Sequence, residues 1–279
     1  MKNLKGIVLT ATLMVAVCVA AQNRSGGINL SLWKGASTQP LDTTQTTYLN
    51  LGLMSTMQRL DGVGINVLGS MVHGDVTGLQ LTGLANLAGG SMKGVQIAGF
   101  SNVSGNHSVG LSMAGLVNIT GDHARGLTIA GLTAIGGEDQ TGVMLSGLLN
   151  VTGNRASGFQ LSGVANITGE NFDGVYASGL LNVVGGDMNG LQLAGLANIV
   201  SRRLNGLQLG LCNYATQARG LQIGLVNYYR EEMKGFQLGL VNANPDTRVQ
   251  MMLYGGNAAW ANVGVRFKNR LFYTIVGVG

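Results

Sequence analysis

The stretch "GLQLAGLANIVSRRLN", residues 190–205, decides how this chain folds. Seven of its first eleven residues are Leu, Ile, Val or Ala, and it contains no acid. The same pattern returns along most of the sequence. Gly62, Gly78, Gly94, Gly110, Gly126, Gly142, Gly158, Gly174, Gly190 and Gly206 stand sixteen residues apart without a slip, and Gly220 and Gly235 follow at fourteen and fifteen. A fixed period of this length marks a repeat architecture, in which no unit buries a core alone and neighbours must stack.

With the repeat Gly as position one, positions two, four, seven and ten are apolar, as in Leu191, Leu193, Leu196 and Ile199. Position six is Gly from Gly83 to Gly195, and position nine is Asn from Asn86 to Asn198 except at Ala134. Apolar residues two apart with β-branched neighbours predict strand. A helix is excluded in practice, because each Gly in it would cost about 1 kcal/mol against Ala.

Geometry then narrows the architecture. A straight strand of roughly eleven residues is about 36 Å long, whereas the five that remain reach at most about 18 Å. So either each repeat is one strand of an antiparallel meander or membrane β-barrel, or the strand bends at position six and each repeat is one coil. Two features favour an all-β solenoid of about twelve coils, each 14–16 residues long. The residue two before each repeat Gly is apolar in ten of twelve cases, Ser108 and Gln140 being the exceptions. Such a residue is unwelcome at a hairpin tip but fits a coil interior. A parallel stack also sets each residue on its own copy about 4.8 Å away. Asn150, for example, is expected between Ala134 and Asn166 in an interior amide ladder that satisfies turn backbone groups. The shorter repeats "GLQLGLCNY" (206–214) and "GLQIGLVNY" (220–228) count the other way, since they alternate cleanly like straight strands.

On this reading the Gln residues of position three, Gln80, Gln96, Gln160, Gln192, Gln208, Gln222 and Gln237, lie outside the core. Thr82, Ala98, Ala114, Ala130, Ser146, Ser162, Ser178 and Ala194 at position five lie beside them. Together they predict a flat, small-residue outer surface suited to packing on another surface.

The ends differ from the body. Residues 1–21 read as a signal peptide, with basic "MKNLK", an apolar run too short for a comfortable membrane span, and small residues before a cleavage after Ala21. Residues 22–61 read as an N-terminal cap, 62–248 as the repeat solenoid, and 249–279 as a C-terminal β-hairpin. That hairpin would join "ANVGVRFKN" to "LFYTIVGVG" and serve as a cap or as the start of a truncated barrel. Its apolar last strand is expected to pair with a partner.

Composition excludes several classes. With 46 Gly but only 2 Pro and 46% hydrophobic residues, the chain is neither disordered nor collagen-like. Cys18 leaves with the signal and Cys212 remains alone, so no internal disulfide framework exists. The formal charge of +5 falls to +3 without Lys2 and Lys5, and no basic run exceeds Arg202-Arg203. Nucleic acid is therefore not an expected partner.

Candidate chemistry is sparse. His107, His123 and Asp139 share one turn position in successive repeats and would stack in a column able to share a metal such as zinc. Asp122, Glu138 and Glu170 form the neighbouring column, which Gly90, Asn106 and Asn154 interrupt as a calcium row. Solvated turns explain both, and the expectation is no metal and no cofactor. "GVGINVLG" at 62–69 is Gly-rich, but a repeat strand explains it. No Ser-His-Asp pattern, metalloprotease helix or phosphate loop is present, so no enzyme is expected.

The motifs "GLQIGLVNYY" (220–229) and "GVQIAGFSNVSG" (94–105), with the lead-in "TTYLNLG" (46–52), resemble surface-repeat proteins of Gram-negative envelopes, especially those of Bacteroidetes. The resemblance covers most of residues 27–279. It implies export and surface display rather than an activity, and similar chains often continue into a C-terminal membrane β-barrel. The expectation is thus an exported, non-enzymatic surface repeat protein, a scaffold or adhesin at the cell surface or outer membrane of a Gram-negative bacterium, with the periplasm as the alternative. Its expected partners are an envelope component, a host or neighbouring cell surface, or itself through the flat β face, with membrane association possible through the C-terminal end. The alternative is a pore built from the repeats as antiparallel strands.

Overall fold

A computed structural model describes residues 27–33, 36–39, 45–254, 262–268 and 273–278. The signal peptide expected at 1–21 lies outside them. Every regular element among the described residues is a β-strand. From Gly78 onward each sixteen-residue repeat forms two strands, as at Met92–Ala98 and Ser101–Ser104, while Arg59–Val72 runs through its bend as one strand. A bend at positions six and seven joins them, and a second turn at positions twelve to fourteen leads to the next coil.

Neighbouring repeats pair in parallel, residue on equivalent residue: Met92 on Ser108, Gly94 on Gly110, Asn102 on Asn118. This is a β-solenoid. The parallel sign excludes the antiparallel meander and the barrel made from it, because in both of those consecutive strands run in opposite directions. The chain divides into two compact units, 1–147 and 148–279, and each contains such a stack.

Glycine is a consequence of the stacking. At Gly174 φ is +131°, and an added Cβ would lie 2.1 Å from the carbonyl oxygen of Gly158 one coil below. At position six the backbone is ordinary, but an added Cβ at Gly179 would lie 2.0 Å from the Gly163 carbonyl oxygen. Both sites bring one coil's backbone onto the next, and only hydrogen fits between.

The interior is polar, and here the structure reverses the sequence reading. Gln80, Gln96, Gln192, Gln208 and Gln222 are fully buried, and Gln160 is only 1% exposed. Gln96 donates to Gln80 at 3.0 Å, Gln208 to Gln192 at 2.8 Å, and Gln222 to Gln208 at 2.8 Å. At position five, Ala98, Ala114, Ala130, Ser162 and Ala194 are buried as well. The flat small-residue surface is therefore an inner wall. Position seven faces out instead, with Leu84, Phe100, Leu148, Leu180 and Leu196 all exposed.

The physical reason is parity. Successive side chains of a strand point to opposite sides. The strand runs unbroken through its repeat Gly, so the buried residue two before that Gly sets the side for positions three and five. Met92, Phe172, Met188 and Leu204 are fully buried at that place. Positions two and four must then point outward, apolar or not.

Position nine behaves as the ladder requires. Asn86 donates to Asn102 at 2.9 Å, and Asn150 to Asn166 at 2.9 Å. The same Asn86 nitrogen also reaches the Ile97 carbonyl at 2.8 Å. Ala134, the one departure, packs against Met144 and Ala130 in an apolar cluster, where Met144 replaces the usual polar residue of position three. The stack also starts ahead of Gly62. Ile28–Trp33 pairs in parallel with Thr46–Met57, which pairs in parallel with Arg59–Val72. Asn29 donates to Asn50 at 2.9 Å and Asn50 to Asn66 at 3.0 Å, a separate short amide row in the expected N-terminal cap, since Asn66 stands at position five over Thr82 and Ser70 pairs with Asn86.

After the stack, Arg248–Tyr254, Asn262–Lys268 and Tyr273–Val278 form an antiparallel three-stranded sheet. The expected hairpin is its second and third strands. The last strand thus finds its pairing inside the chain on one edge, with Val263 opposite Val278 and Lys268 opposite Tyr273.

Candidate functional surface

The inversion leaves two different surfaces on the coil. Between Gly62 and Ala243, every Asp, Glu, Lys, Arg and His falls at positions twelve to sixteen or their equivalents in the short repeats. None falls at positions one to eleven. The turn at twelve to fourteen, with position sixteen at the start of the strand after it, is thus a polar ridge, and the bend at six and seven is uncharged. This segregation is legible once charges are plotted against repeat position. The sequence reading missed it by sorting residues only as inside or outside.

On the ridge, the rings of His107 and His123 stack with centroids 5.1 Å apart and 13° between planes. The column expected from the repeat exists. Parallel stacked rings carry their nitrogen lone pairs in parallel planes, so the nitrogens do not converge on one point as a metal site requires. His123 lies instead 3.5 Å from Asp139 and 3.6 Å from Glu138. Among the described residues no three His, Cys, Asp or Glu side chains are arranged to hold a metal. The acidic column does not gather either: Glu138 faces His123, and Glu170 lies 3.3 Å from Arg155.

In the second unit a shallow cleft of about 250 Å³ opens on the ridge, lined by Asp187, Arg202, Arg203, Thr216, Gln217 and Glu231. Arg203 donates to Gln217 at 3.3 Å, Gln217 donates to Glu231 at 3.0 Å, and Arg202 lies 3.9 Å from Asp187. Arg202 is thus partnered by Asp187, and Gln217 links Arg203 to Glu231. Lys234, 2.9 Å from Glu232, holds that carboxyl below its ordinary range through its hydrogen bond. Such exposed pairs are weakened by solvent screening, and they arrange no nucleophile, base and electrophile together.

The other surface is apolar and regular. In the second unit its apex is position seven: Leu180 is 50% exposed, Leu196 49%, Leu211 45% and Leu225 48%. Leu161, Leu209 and Leu238 of position four are exposed on one flank, and Ile167 of position ten and Val226 of position eight on the other. The inner side chains of the two strands meet between the flanks, as where Gln160 donates to Thr152 at 3.2 Å. Tyr214 and Tyr228 stack 5.7 Å apart at position ten, beside the start of the polar turn. Cys212, the thiol left after the expected signal, is exposed at position eight of this surface.

Backbone groups of the bend under the apex bond from coil to coil. Leu196 N–H donates to the Leu180 carbonyl at 3.0 Å, Ala197 N–H to the same oxygen at 2.9 Å, and Leu225 N–H to the Leu211 carbonyl at 2.9 Å. From inside, Asn198 reaches the Leu209 carbonyl at 2.8 Å and Asn213 the Ile223 carbonyl at 2.7 Å.

No family model, curated protein or solved structure matches this chain.

Proposed function

We propose that this chain is an exported, non-enzymatic repeat protein of a Gram-negative envelope, a scaffold or adhesin that presents an extended β surface. The observation that carries this reading is the division of labour within the coil. Amide ladders, small side chains and a row of larger apolar residues such as Met92, Phe172 and Leu204 fill the interior. The outward positions repeat one apolar row at coil spacing, with charge confined to positions twelve to sixteen. A body built this way repeats a surface rather than assembling a reaction centre. The leader-like first 21 residues and the lone Cys212 favour export. The presented surface is the Leu, Val and Ile rows, not the Gln rows.

Protease treatment of intact cells tests the reading. Cleavage of the repeat region while an internal marker survives is the expected outcome. A repeat region untouched until the envelope is broken overturns surface display.

A further inference from the structure

We propose that the apolar side of the second unit is a lipid-binding surface, with the bend at positions six and seven seated in the hydrocarbon boundary of a bilayer and the charged ridge left in water. The inference rests on the envelope reading above and goes further by assigning the contact its chemistry.

Three observations carry it. The first is the shape of the apolar surface. It covers both flanks and the apex of the bend, from Leu209 on one side through Leu211 to Val226 on the other. A second folded chain covers one flat side, whereas hydrocarbon conforms to all three. Soluble monomers rarely leave a contiguous apolar patch larger than a few hundred Å² uncovered.

The second is backbone satisfaction. A segment can enter hydrocarbon only if its N–H and C=O groups are bonded within the protein. Much of the bend meets this condition. Leu180, Leu196 and Leu225 N–H donate to the coil before and Gly210 and Gly224 N–H to the coil after, and Asn182, Asn198, Asn213 and Asn227 donate to the carbonyls of Leu193, Leu209, Ile223 and Leu238 from inside. The polar core therefore has a use: it supplies donors that water would supply elsewhere.

The third is charge. Residues 148–243 carry six basic and five acidic side chains, none at positions one to eleven; Asp173, Arg219 and Lys234 stand at position sixteen, at the end of the outward flank farthest from the bend. That balance offers no surplus to attract anionic headgroups. Binding is then driven by apolar burial, is indifferent to headgroup charge, and persists at high salt. Tyr214 and Tyr228, stacked next to the ridge, sit where amphipathic rings favour a membrane–water boundary.

Cys212 provides the probe, since it is the second of only two cysteines and lies on this surface. The full chain carrying Cys18→Ser is labelled at Cys212 with a fluorophore and mixed with phosphatidylcholine vesicles containing a nitroxide on the acyl chain. A companion chain adds Cys212→Ser and carries the label at Ser201→Cys on the ridge. Quenching roughly threefold stronger at 212 than at 201, unchanged by salt, is expected for a surface-lying amphipathic element. A chain with Leu180→Lys, Leu196→Lys and Leu225→Lys should lose the difference while keeping its β circular dichroism. If that variant does not fold, the 212-against-201 comparison in the unaltered surface still decides. Equal quenching at both positions, or none, overturns the proposal. So does a concentration-dependent dimer by sedimentation that shields position 212 without lipid, which assigns the surface to a second copy. Protease resistance on intact cells would overturn surface display and leave the quenching result intact, so the two readings fail separately.

Discussion

Asn166 donates its side-chain amide to Asn182 Oδ1 at 3.0 Å, and Asn182 repeats the same bond to Asn198 at 3.0 Å. All three are buried. Each rung depends on the next, and each nitrogen also serves a backbone carbonyl, that of Leu193 for Asn182.

Replacing Asn182 by Ala should therefore leave buried donors and acceptors unmet on both sides. The expected loss is about 1–3 kcal/mol. Leu180→Ala, at the half-exposed apex of the same coil, should cost roughly 0.5 kcal/mol or less, as surface changes usually do. Urea unfolding of the two variants checks the contrast, and equal losses would remove the ladder from the list of stabilising features.

Gln140 stands where other coils place Met92 or Met188, and both its polar atoms are buried without a hydrogen-bond partner. It occupies space left by Gly136, whose missing Cβ would lie 3.6 Å from the Gln140 Oε1. Gln140→Met should remove the unmet polar atoms while filling similar volume. A gain of about 1 kcal/mol or more is expected, read as a raised Tm in thermal unfolding.

Gly174→Ala forces a side chain into a positive-φ site and onto the Gly158 carbonyl. Because the obstacle is backbone, the loss should reach about 3 kcal/mol. Gly136→Ala meets nothing closer than 3.6 Å and has no positive φ. It should be neutral or stabilise by roughly 0.5 kcal/mol through the unfolded state. Denaturant midpoints of the two variants would separate them.

Tyr176 interrupts the Gln row, fully buried, with its hydroxyl 2.9 Å from the Thr168 hydroxyl. Burial raises its pKa well above the ordinary value of 10.0, and the Thr168 bond only partly opposes this. The folded state thus holds its proton more tightly than the unfolded chain does. The associated stability is fully present below about pH 10 and is lost as pH rises beyond it. Unfolding measured from pH 8 to 11 should show a fall at the alkaline end that Tyr176→Phe reduces. An unchanged alkaline slope in that variant would remove Tyr176 as its source.

The sequence displayed the coil but not its polarity. The invariant spacing from Gly62 to Gly206, the apolar residue at Met92 or Leu204 and the Asn of position nine were enough for parallel coils with an interior ladder. Two inferences in that reading were incompatible, however. Leu204 and Leu207 cannot both point inward on one strand, because they are three residues apart and side chains alternate. Leu204 is fully buried and Leu207 is not. The rule that apolar residues go inside decided for positions two and four, where parity should have decided against them. Ala134 was visible as a break in the Asn column, but its reason was not. Met144, sixteen residues before Gln160, fills the space an Asn side chain would need. The polar ridge was equally open to view, since it required only asking where charge is absent.

The register also has a kinetic consequence. Within each unit a coil's partners lie about one repeat away in sequence, as Gly174 on Gly190 or Asn198 on Asn213. Loop closure between such partners is cheap and stays equally cheap however long the stack grows. Formation is then a nucleation of a few coils followed by propagation, one coil at a time, on a template whose edge is already in place. A chain emerging end first through a narrow channel can fold as it arrives, each new coil locking onto the last before the remainder has appeared.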